Sequence, residues 1–152
     1  SDSYVFDELY RAGKVELEVV PQGNLACRIQ AAGMGLGAVF TPTGFGTLLA
    51  EGKETREING RNYVLEPAIT GDFAIVRAWK ADRYGNLVFR HTSMNFNPMA
   101  ATAGKITVAE VEEIVEPGEL EPSQIHTPGI YVQRVIKGNF EKRIERRMVR
   151  QG

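Results

Sequence analysis

The chain has 152 residues, of which 43% are hydrophobic and 24% charged, so its composition is that of one ordinary globular domain. Its net charge of −1 gives no electrostatic reason to expect nucleic acid or an anionic membrane as a partner, and its single cysteine, Cys27, excludes an intrachain disulfide and a cysteine-rich zinc site. No apolar run approaches the roughly 20 residues that span a bilayer, and no basic-then-apolar leader is visible, so we expect a cytoplasmic protein, or one of an organelle matrix if its start has been trimmed.

The first predicted elements are a short amphipathic helix over residues 4–12 and a strand over residues 15–20. The strand stops at Pro21, because proline lacks the backbone N–H that a sheet ladder needs. A second short helix is predicted over residues 24–32. The apolar residues on one face of that helix are Leu25, Ile29 and Ala32.

Gln22 and Gly23 occupy the predicted strand-to-helix turn. A neutral amide at the carboxyl end of a strand, flanked by a glycine, is suited to donate a hydrogen bond to a carbonyl oxygen that becomes an oxyanion. The alternative for Gln22 is a polar turn residue that caps the helix after it. The pattern alone leaves both interpretations open.

A glycine run over residues 33–37 follows the helix. A phosphate-binding loop is one interpretation, but the run follows a helix and not a strand, so the dinucleotide-binding fingerprint fails. We therefore interpret the run as a tight, close-packed connection to a strand at residues 39–40.

Residues 41–47 form a second turn, rich in Gly, Pro and Thr, that either lines a substrate cleft or is a structural loop. Glycines permit close approach of the backbone to a ligand, and two neighbouring aromatic rings would supply apolar walls. The candidates for substrate contact, with Gly23, are Phe40, Thr43, Gly44, Phe45 and Gly46.

The rest of the chain alternates between short strands and loops. We predict a charged, solvent-facing segment, a hairpin that turns at Asn59-Gly60, a strand covered on both faces, a turn, a strand edge, a loop with a helix cap, a short helix, a strand, a loop and a final strand. Their ranges, in that order, are 51–57, 58–65, 73–78, 84–86, 87–90, 95–98, 99–103, 106–111, 117–122 and 130–136. This alternation predicts an α/β fold with a mixed sheet and a hairpin addition, without a domain linker.

Other reactive or charged residues favour structural roles. Cys27 lies in a helix without a nearby histidine, so we expect a small buried or half-buried residue and not a nucleophile. We expect His91 and His126 to be surface residues, and no metal site. Residues 95–97 are expected to cap and fix a loop, and the basic segment 142–150 to be solvated or in contact with another protein chain.

Short motifs recur in order along nearly the whole chain. They are PQG at 21–23, TPTGFGT at 41–47, EG at 51–52, GDFA at 71–74, KAD at 80–82, GN at 85–86, NFNP at 95–98, VEEIV at 111–115 and TPG at 127–129, with Leu25, Arg28, Ile29, Gly33 and Gly35 between the first two. Together they closely resemble the alpha subunit of the family I coenzyme A transferases, the succinyl-CoA:3-ketoacid and acetate/acetoacetate group. Residues 140–146 look most like the ketoacid branch.

This resemblance implies an open α/β sandwich of the CoA-transferase type and a role in transferring CoA between carboxylates, as in ketone body metabolism. It implies that Gln22 helps to form the oxyanion hole, that residues 41–47 lie beside the active site, and that the nucleophilic glutamate belongs to a second CoA-transferase chain, the partner subunit. The substrates would be an acyl-CoA thioester and a carboxylic acid, without a separate cofactor, and the assembly a hetero-oligomer, expected to be a heterotetramer.

The resemblance also implies that residues 1–152 are the C-terminal part of the alpha-subunit domain, because the family's N-terminal portion, with its Gly-Gly-rich turn, has no counterpart here. A second hypothesis is therefore a non-catalytic fragment that keeps the fold and the partner-binding surface. A third is a sugar-phosphate isomerase of related fold, which would need an acid/base carboxylate pair near a phosphate-binding turn. The sequence shows no such constellation.

Overall fold

The computed structural model of the chain describes residues 4–138, which divide into two compact units, residues 4–19 and Val20–Gly138. The predictions for the ketoacid-like segment 140–146 and the basic segment 142–150 lie outside the described residues. Within residues 4–138, the helices are too short and too polar to cross a membrane.

The first unit holds helix α1, Tyr4–Arg11. The rings of Phe6 and Tyr10, four residues apart, stack with their centroids 5.9 Å from each other. Asp7 in the first turn and Arg11 in the last turn complement the helix dipole. The predicted amphipathic helix is therefore confirmed, to within a residue of its predicted end.

Residues 15–20 have no regular secondary structure, so the predicted strand there is wrong. A strand exists only through ladder hydrogen bonds to a neighbour, and none of the strands within residues 4–138 pairs with this segment. Alternating apolar residues before a proline are compatible with an extended backbone, but they do not show that another strand pairs with the segment.

The second unit begins with a helix and a three-stranded antiparallel sheet in the order β1-β3-β2. Its elements are α2, Gln22–Gly33; β1, Ala38–Thr41; β2, Thr55–Ile58; and β3, Arg61–Pro67. Asn59 and Gly60 join β2 to β3 with φ of 52° and 75°, the two left-handed residues that a two-residue hairpin turn of type I′ requires. The predicted hairpin and the strand at residues 39–40 are confirmed.

Helix α2 buries a different stripe from the one predicted. Asn24, Arg28 and Ala31 are its buried residues, whereas the predicted apolar face is only half-buried. Cys27 is exposed, which corrects the expectation of a buried or half-buried thiol. The periodicity of an α-helix allows two overlapping stripes, and the buried one is mostly polar because its groups find hydrogen-bond partners in the neighbouring sheet.

The glycine run after α2 is the compact connection that was predicted. The Leu36 N–H donates to the Ala31 carbonyl at 2.9 Å, which closes the helix end. A Cβ added at Gly33 would overlap the side chain of Thr102, so only glycine lets the neighbouring helix approach this closely.

The second sheet is mixed. Its elements are β4, Gly71–Asp82; β5, Leu87–Val88; α3, Asn97–Ala103; β6, Gly104–Val115; and β7, Arg134–Lys137. The strand order is β5-β4-β6-β7, with β4 antiparallel to β5 and parallel to β6, and β6 parallel to β7. The predicted α/β class with a mixed sheet is confirmed, although β5 and β7 are shorter than expected.

Helix α3 covers one face of this sheet and closes the core. The Thr107 hydroxyl of β6 donates to the Ala101 carbonyl of α3 at 2.7 Å. The buried core residues are Val76, Ala78, Ala81, Leu87, Phe89, Ala101, Ala109, Val111 and Val132. On the other face, Phe73 and Ile75 of β4 are 63% and 82% exposed. We predicted that residues 73–78 are covered on both faces. Within residues 4–138 this is wrong, because α3 packs on one face of the sheet and the face with Phe73 and Ile75 is exposed.

Candidate functional site

Gln22 is the first residue of α2, directly after Pro21, and its side chain is exposed. No acidic residue lies in the first turn of this 12-residue helix, so the partial positive charge at its N-terminus is not neutralised from within the helix. The cap position is Pro21, which makes no side-chain cap bond, and the Gln22 amide has no hydrogen-bond partner within residues 4–138. The amide is thus free to donate to an oxyanion, and a capping role is not seen.

The loop after β1 folds on itself beside this helix. The Thr47 hydroxyl donates to the Gly44 carbonyl at 2.7 Å and accepts from the Leu49 N–H at 3.2 Å. Gly44 and Gly46 have φ of 91° and 74°, a left-handed conformation that residues with a Cβ rarely adopt. The loop therefore holds a definite shape while leaving most of its residues exposed.

Asn24 joins the start of α2 to this loop. Its side chain is buried, and its Nδ2 donates to the Thr43 carbonyl at 3.2 Å. The Thr41 hydroxyl, at the end of β1, donates to Asn24 Oδ1 at 3.1 Å and accepts from the Thr43 N–H at 3.2 Å. Gln22 and Gly23 immediately precede Asn24, so the structure brings the predicted oxyanion donor and the predicted substrate loop together.

A buried carboxylate lies beneath this junction. Glu66 of β3 is 1% exposed, and its Oε1 accepts the second hydrogen bond from Asn24 Nδ2, at 3.2 Å. Lys53 Nζ donates to both carboxylate oxygens, at 3.0 and 3.1 Å, and Arg28 NH1 lies 3.8 Å from Oε2. Arg28 Nε also donates to the Pro67 carbonyl at 2.8 Å. The buried charge of Glu66 is thus balanced by two cations and hydrogen-bonded, as a buried carboxylate must be.

Phe40 is placed apart from this junction. The Arg56 guanidinium lies over its ring, 4.9 Å from the ring centroid, which is a cation–π geometry. Neighbouring residues of a strand point to opposite faces, and Thr41 points towards Asn24. Of the residues predicted to contact substrate, Gly23 and the loop residues 43–46 lie on the two segments that Asn24 joins, and Phe40 lies on the other face of the sheet.

The remaining candidates have structural surroundings. His91 and His126 are exposed as predicted, and His126 Nδ1 accepts from the Phe89 N–H at 3.0 Å. Asn97 fixes the loop before α3, since its Oδ1 accepts from the Arg77 N–H and its Nδ2 donates to the Ser93 carbonyl, both at 3.0 Å. Residues 4–138 contain no group of His, Cys, Asp and Glu side chains arranged to hold a metal ion.

The support beneath the site consists of Asn24, Arg28, Lys53 and Glu66, none of which was predicted from the sequence to belong to it. One signal was present: Asn24 and Arg28 stand four residues apart, with Ala31 one turn further, which is the spacing of a single helix face. Polar side chains at such positions indicate a buried face only when partners for them are known. Those partners come from β3 and from residue 53, and only the tertiary fold supplies them.

The chain therefore combines a mixed α/β sheet with an exposed amide at a helix N-terminus, next to a glycine-rich loop. Residues 1–138 match the profile of the family described as coenzyme A transferase, and the chain belongs to that family. The match covers nearly all of the sequence and includes every element of both sheets.

Two curated relatives, each named as one subunit of its enzyme, place the chain more closely. It is 64% identical over 136 residues to the 3-oxoadipate CoA-transferase chain of Acinetobacter baylyi, covering 90% of this chain and 60% of the relative. It is 60% identical over 151 residues to the probable succinyl-CoA:3-ketoacid coenzyme A transferase chain of Bacillus subtilis, covering 99% of this chain and 63% of the relative. The chain thus spans about three fifths of the length of these relatives.

The structure of glutaconate coenzyme A-transferase from Acidaminococcus fermentans superposes with a TM-score of 0.76 at 22% identity, over 87% of this chain and 49% of that one. This likeness shows the CoA-transferase fold.

Proposed function

We propose that this chain forms part of the alpha subunit of an acyl-CoA:carboxylate CoA-transferase, which works together with a partner subunit. The observation that carries the proposal is the exposed Gln22 amide, which has no partner within residues 4–138 and stands at the N-terminus of a helix with no acidic residue in its first turn, two residues before the Asn24 side chain that binds the loop at 43–46. Membership of the coenzyme A transferase family supports it, and so do the names of the relatives, which describe one subunit of a larger enzyme.

The proposed reaction divides the work between two subunits. A glutamate on the partner attacks the acyl-CoA thioester and expels CoA thiolate, which leaves an acyl anhydride. The thiolate then attacks the glutamyl carbonyl of that anhydride, releases the first acid and forms an enzyme–CoA thioester. A second carboxylate reverses both steps and leaves with the CoA. The attacks pass through oxyanions, and the Gln22 amide donates to one of them. No separate cofactor takes part, since CoA is carried by the substrate.

The described residues form one open wall of such a site. Gln22, Gly23, Thr43, Phe45 and Gly46 are exposed on two segments that Asn24 joins, so a second surface is needed to exclude water from the reacting thioester. We propose that the partner subunit supplies this surface together with its glutamate, in a hetero-oligomer that we expect to be a heterotetramer. Glu66 is not a candidate nucleophile, because Lys53 and Asn24 already occupy its buried carboxylate.

For the substrate, we propose a 3-oxo acid as CoA acceptor and succinyl-CoA as donor. The names of the two relatives mention different acids: 3-oxoadipate for the Acinetobacter baylyi protein and a 3-ketoacid for the Bacillus subtilis protein. 3-Oxoadipate carries a second carboxylate that acetoacetate lacks, so the two acids place different demands on the charge of the acid pocket.

The test is reconstitution. This chain is mixed with the partner subunit of the Acinetobacter baylyi or Bacillus subtilis enzyme, and CoA transfer from succinyl-CoA to acetoacetate and to 3-oxoadipate is followed by the absorbance of the acyl-CoA products. Transfer by the complex, and none by either chain alone, supports the proposal. A complex that forms but transfers no CoA supports the alternative, a non-catalytic fragment that keeps only the fold and the partner-binding surface.

A further inference from the structure

Asn24 is a buried, hydrogen-bonded side chain two residues after the proposed oxyanion donor. Both of its amide atoms are engaged, Oδ1 as the acceptor of the Thr41 hydroxyl and Nδ2 as the donor to the Thr43 carbonyl and to Glu66 Oε1. These partners come from β1, the loop after it and β3, so one buried side chain joins three segments to the first turn of α2.

The orientation of this amide is fixed by charge. A carboxylate accepts hydrogen bonds and cannot donate them, so Glu66 requires the NH₂ group of Asn24 on its side. Lys53 Nζ, 3.0 and 3.1 Å from the two oxygens, holds the Glu66 carboxylate in place. The opposite end of the amide is then the acceptor that meets the Thr41 hydroxyl.

We propose that Asn24 is a positioning residue for CoA transfer, which sets the position of Gln22 relative to the Thr43–Gly46 loop, and that Glu66 and Lys53 act through it. This inference rests on the proposed function of Gln22. Asn24 does not face the substrate, because it is buried, but a shift of its backbone moves the two residues that precede it. A misplacement of about 1 Å at a reacting centre lowers rates by about 10²-fold.

The sharpest perturbation is Asn24→Asp, which keeps the shape of the side chain and replaces the donor by an acceptor. The new carboxylate would face Glu66 Oε1 and the Thr43 carbonyl, both 3.2 Å from the lost donor. A matched control exists in Asn86→Asp, in the turn after β4. Asn86 Nδ2 donates to Asp82 Oδ2 at 2.7 Å. The Asn86→Asp change therefore also places an introduced carboxylate next to an existing one, that of Asp82, but outside the proposed site.

The experiment measures kcat of the complex with the partner subunit for Asn24→Asp and Asn86→Asp, each with Gln22 present and in a Gln22→Ala background. If Asn24 positions Gln22, Asn24→Asp lowers kcat about 10-fold or more when Gln22 is present and less than about 3-fold when it is absent, because contacting or coupled residues are not additive. Asn86→Asp should have the same effect on kcat in both backgrounds. Equal factors for Asn24→Asp in both backgrounds, or the same coupling for Asn86→Asp, overturn the proposal.

A second readout separates this inference from the proposed function. Hydrogen exchange of the amides of residues 43–47 should rise in Asn24→Asp and stay unchanged in Asn86→Asp, and Thr41→Ser should protect the loop better than Thr41→Val because it keeps the hydroxyl. If Gln22→Ala alone leaves kcat unchanged, the proposed role of Gln22 fails, and the exchange of the loop still decides whether Asn24 holds it. Unchanged exchange in Asn24→Asp overturns the inference about Asn24.

Discussion

The replacement of Gln22 by alanine separates catalysis from stability. Gln22 is exposed at the first position of α2, Pro21 occupies the cap position, and the Gln22 side chain has no hydrogen bond to lose within residues 4–138. Alanine differs from glutamine in helix propensity by only a few tenths of a kcal/mol, so we expect almost no change in melting temperature. A lost capping interaction would instead cost about 1 kcal/mol.

The expected effect on catalysis is large by comparison. Loss of one preorganised donor to an oxyanion lowers kcat by roughly 10²-fold, which corresponds to about 2.7 kcal/mol of transition-state stabilisation. The KM for the acyl-CoA should change little, because the hydrogen bond strengthens only as charge develops on the oxygen. Steady-state kinetics of the complex with the partner subunit, together with the melting temperature of the same samples, measure both quantities.

Gln22→Glu provides a control in which stability and kcat should change in opposite directions. A carboxylate in the first turn, where no acidic residue now lies, should raise helix stability by about 0.3–1 kcal/mol. The same carboxylate repels an oxyanion and cannot donate when ionised, so kcat should fall further than in Gln22→Ala. A variant that is more stable and less active would show that the N-terminus of α2 serves the transition state. Unchanged kcat in both variants would exclude Gln22 from the active site, and a lower melting temperature with preserved kcat would show a structural role for Gln22.

Burial and charge lead to three further predictions. Cys27 is exposed, so it should react with a thiol reagent in the folded chain. Cys27→Ala should keep the CoA-transfer activity of the complex with the partner subunit within a few-fold; a loss of several orders of magnitude with the fold intact would make Cys27 a catalytic thiol. Lys53→Met should lower the free energy of unfolding by about 1.5–3 kcal/mol in urea titrations because Glu66 loses its nearest cation, whereas an equal loss in Lys53→Arg would point to packing and not charge. Purified alone, the chain should be inactive and self-associate, and Ile75→Lys on the open sheet face should reduce the association in sedimentation experiments without lowering the melting temperature; a monomeric wild-type chain with full activity contradicts this expectation.

Features encoded by neighbouring residues were predictable from the sequence. Asn59-Gly60 fixes the hairpin between β2 and β3 because both residues accept the left-handed conformation of its turn. The second helix, predicted over residues 24–32, and the glycine connection after it were predictable for the same reason, since their signals lie within a few residues. The predicted strand-to-helix turn at Gln22 and Gly23 is wrong, because no strand precedes them within the described residues and both belong to the first turn of α2.

Features that depend on distant partners were not predictable. The segment 15–20 has a strand pattern and no pairing strand within residues 4–138, and residues 73–78 have an apolar pattern that does not state how many faces are covered. Asn24 and Glu66 are 42 positions apart, and the sequence around either residue does not indicate that the two form a hydrogen bond. Gln22 and the loop at 41–47 could thus be proposed from the sequence as a candidate site, while the buried residues that join them could not.

The covalent intermediate itself gives the most direct test of the proposed division of work between the two subunits. This chain and the partner subunit are mixed with acyl-CoA, the reaction is quenched at short times, and the mass of each polypeptide is measured by mass spectrometry. Under this proposal, CoA becomes attached to a glutamate of the partner subunit, not to this chain, and Gln22→Ala slows the attachment by roughly 10²-fold. CoA attached to this chain, or an unchanged rate of attachment in Gln22→Ala, would contradict it.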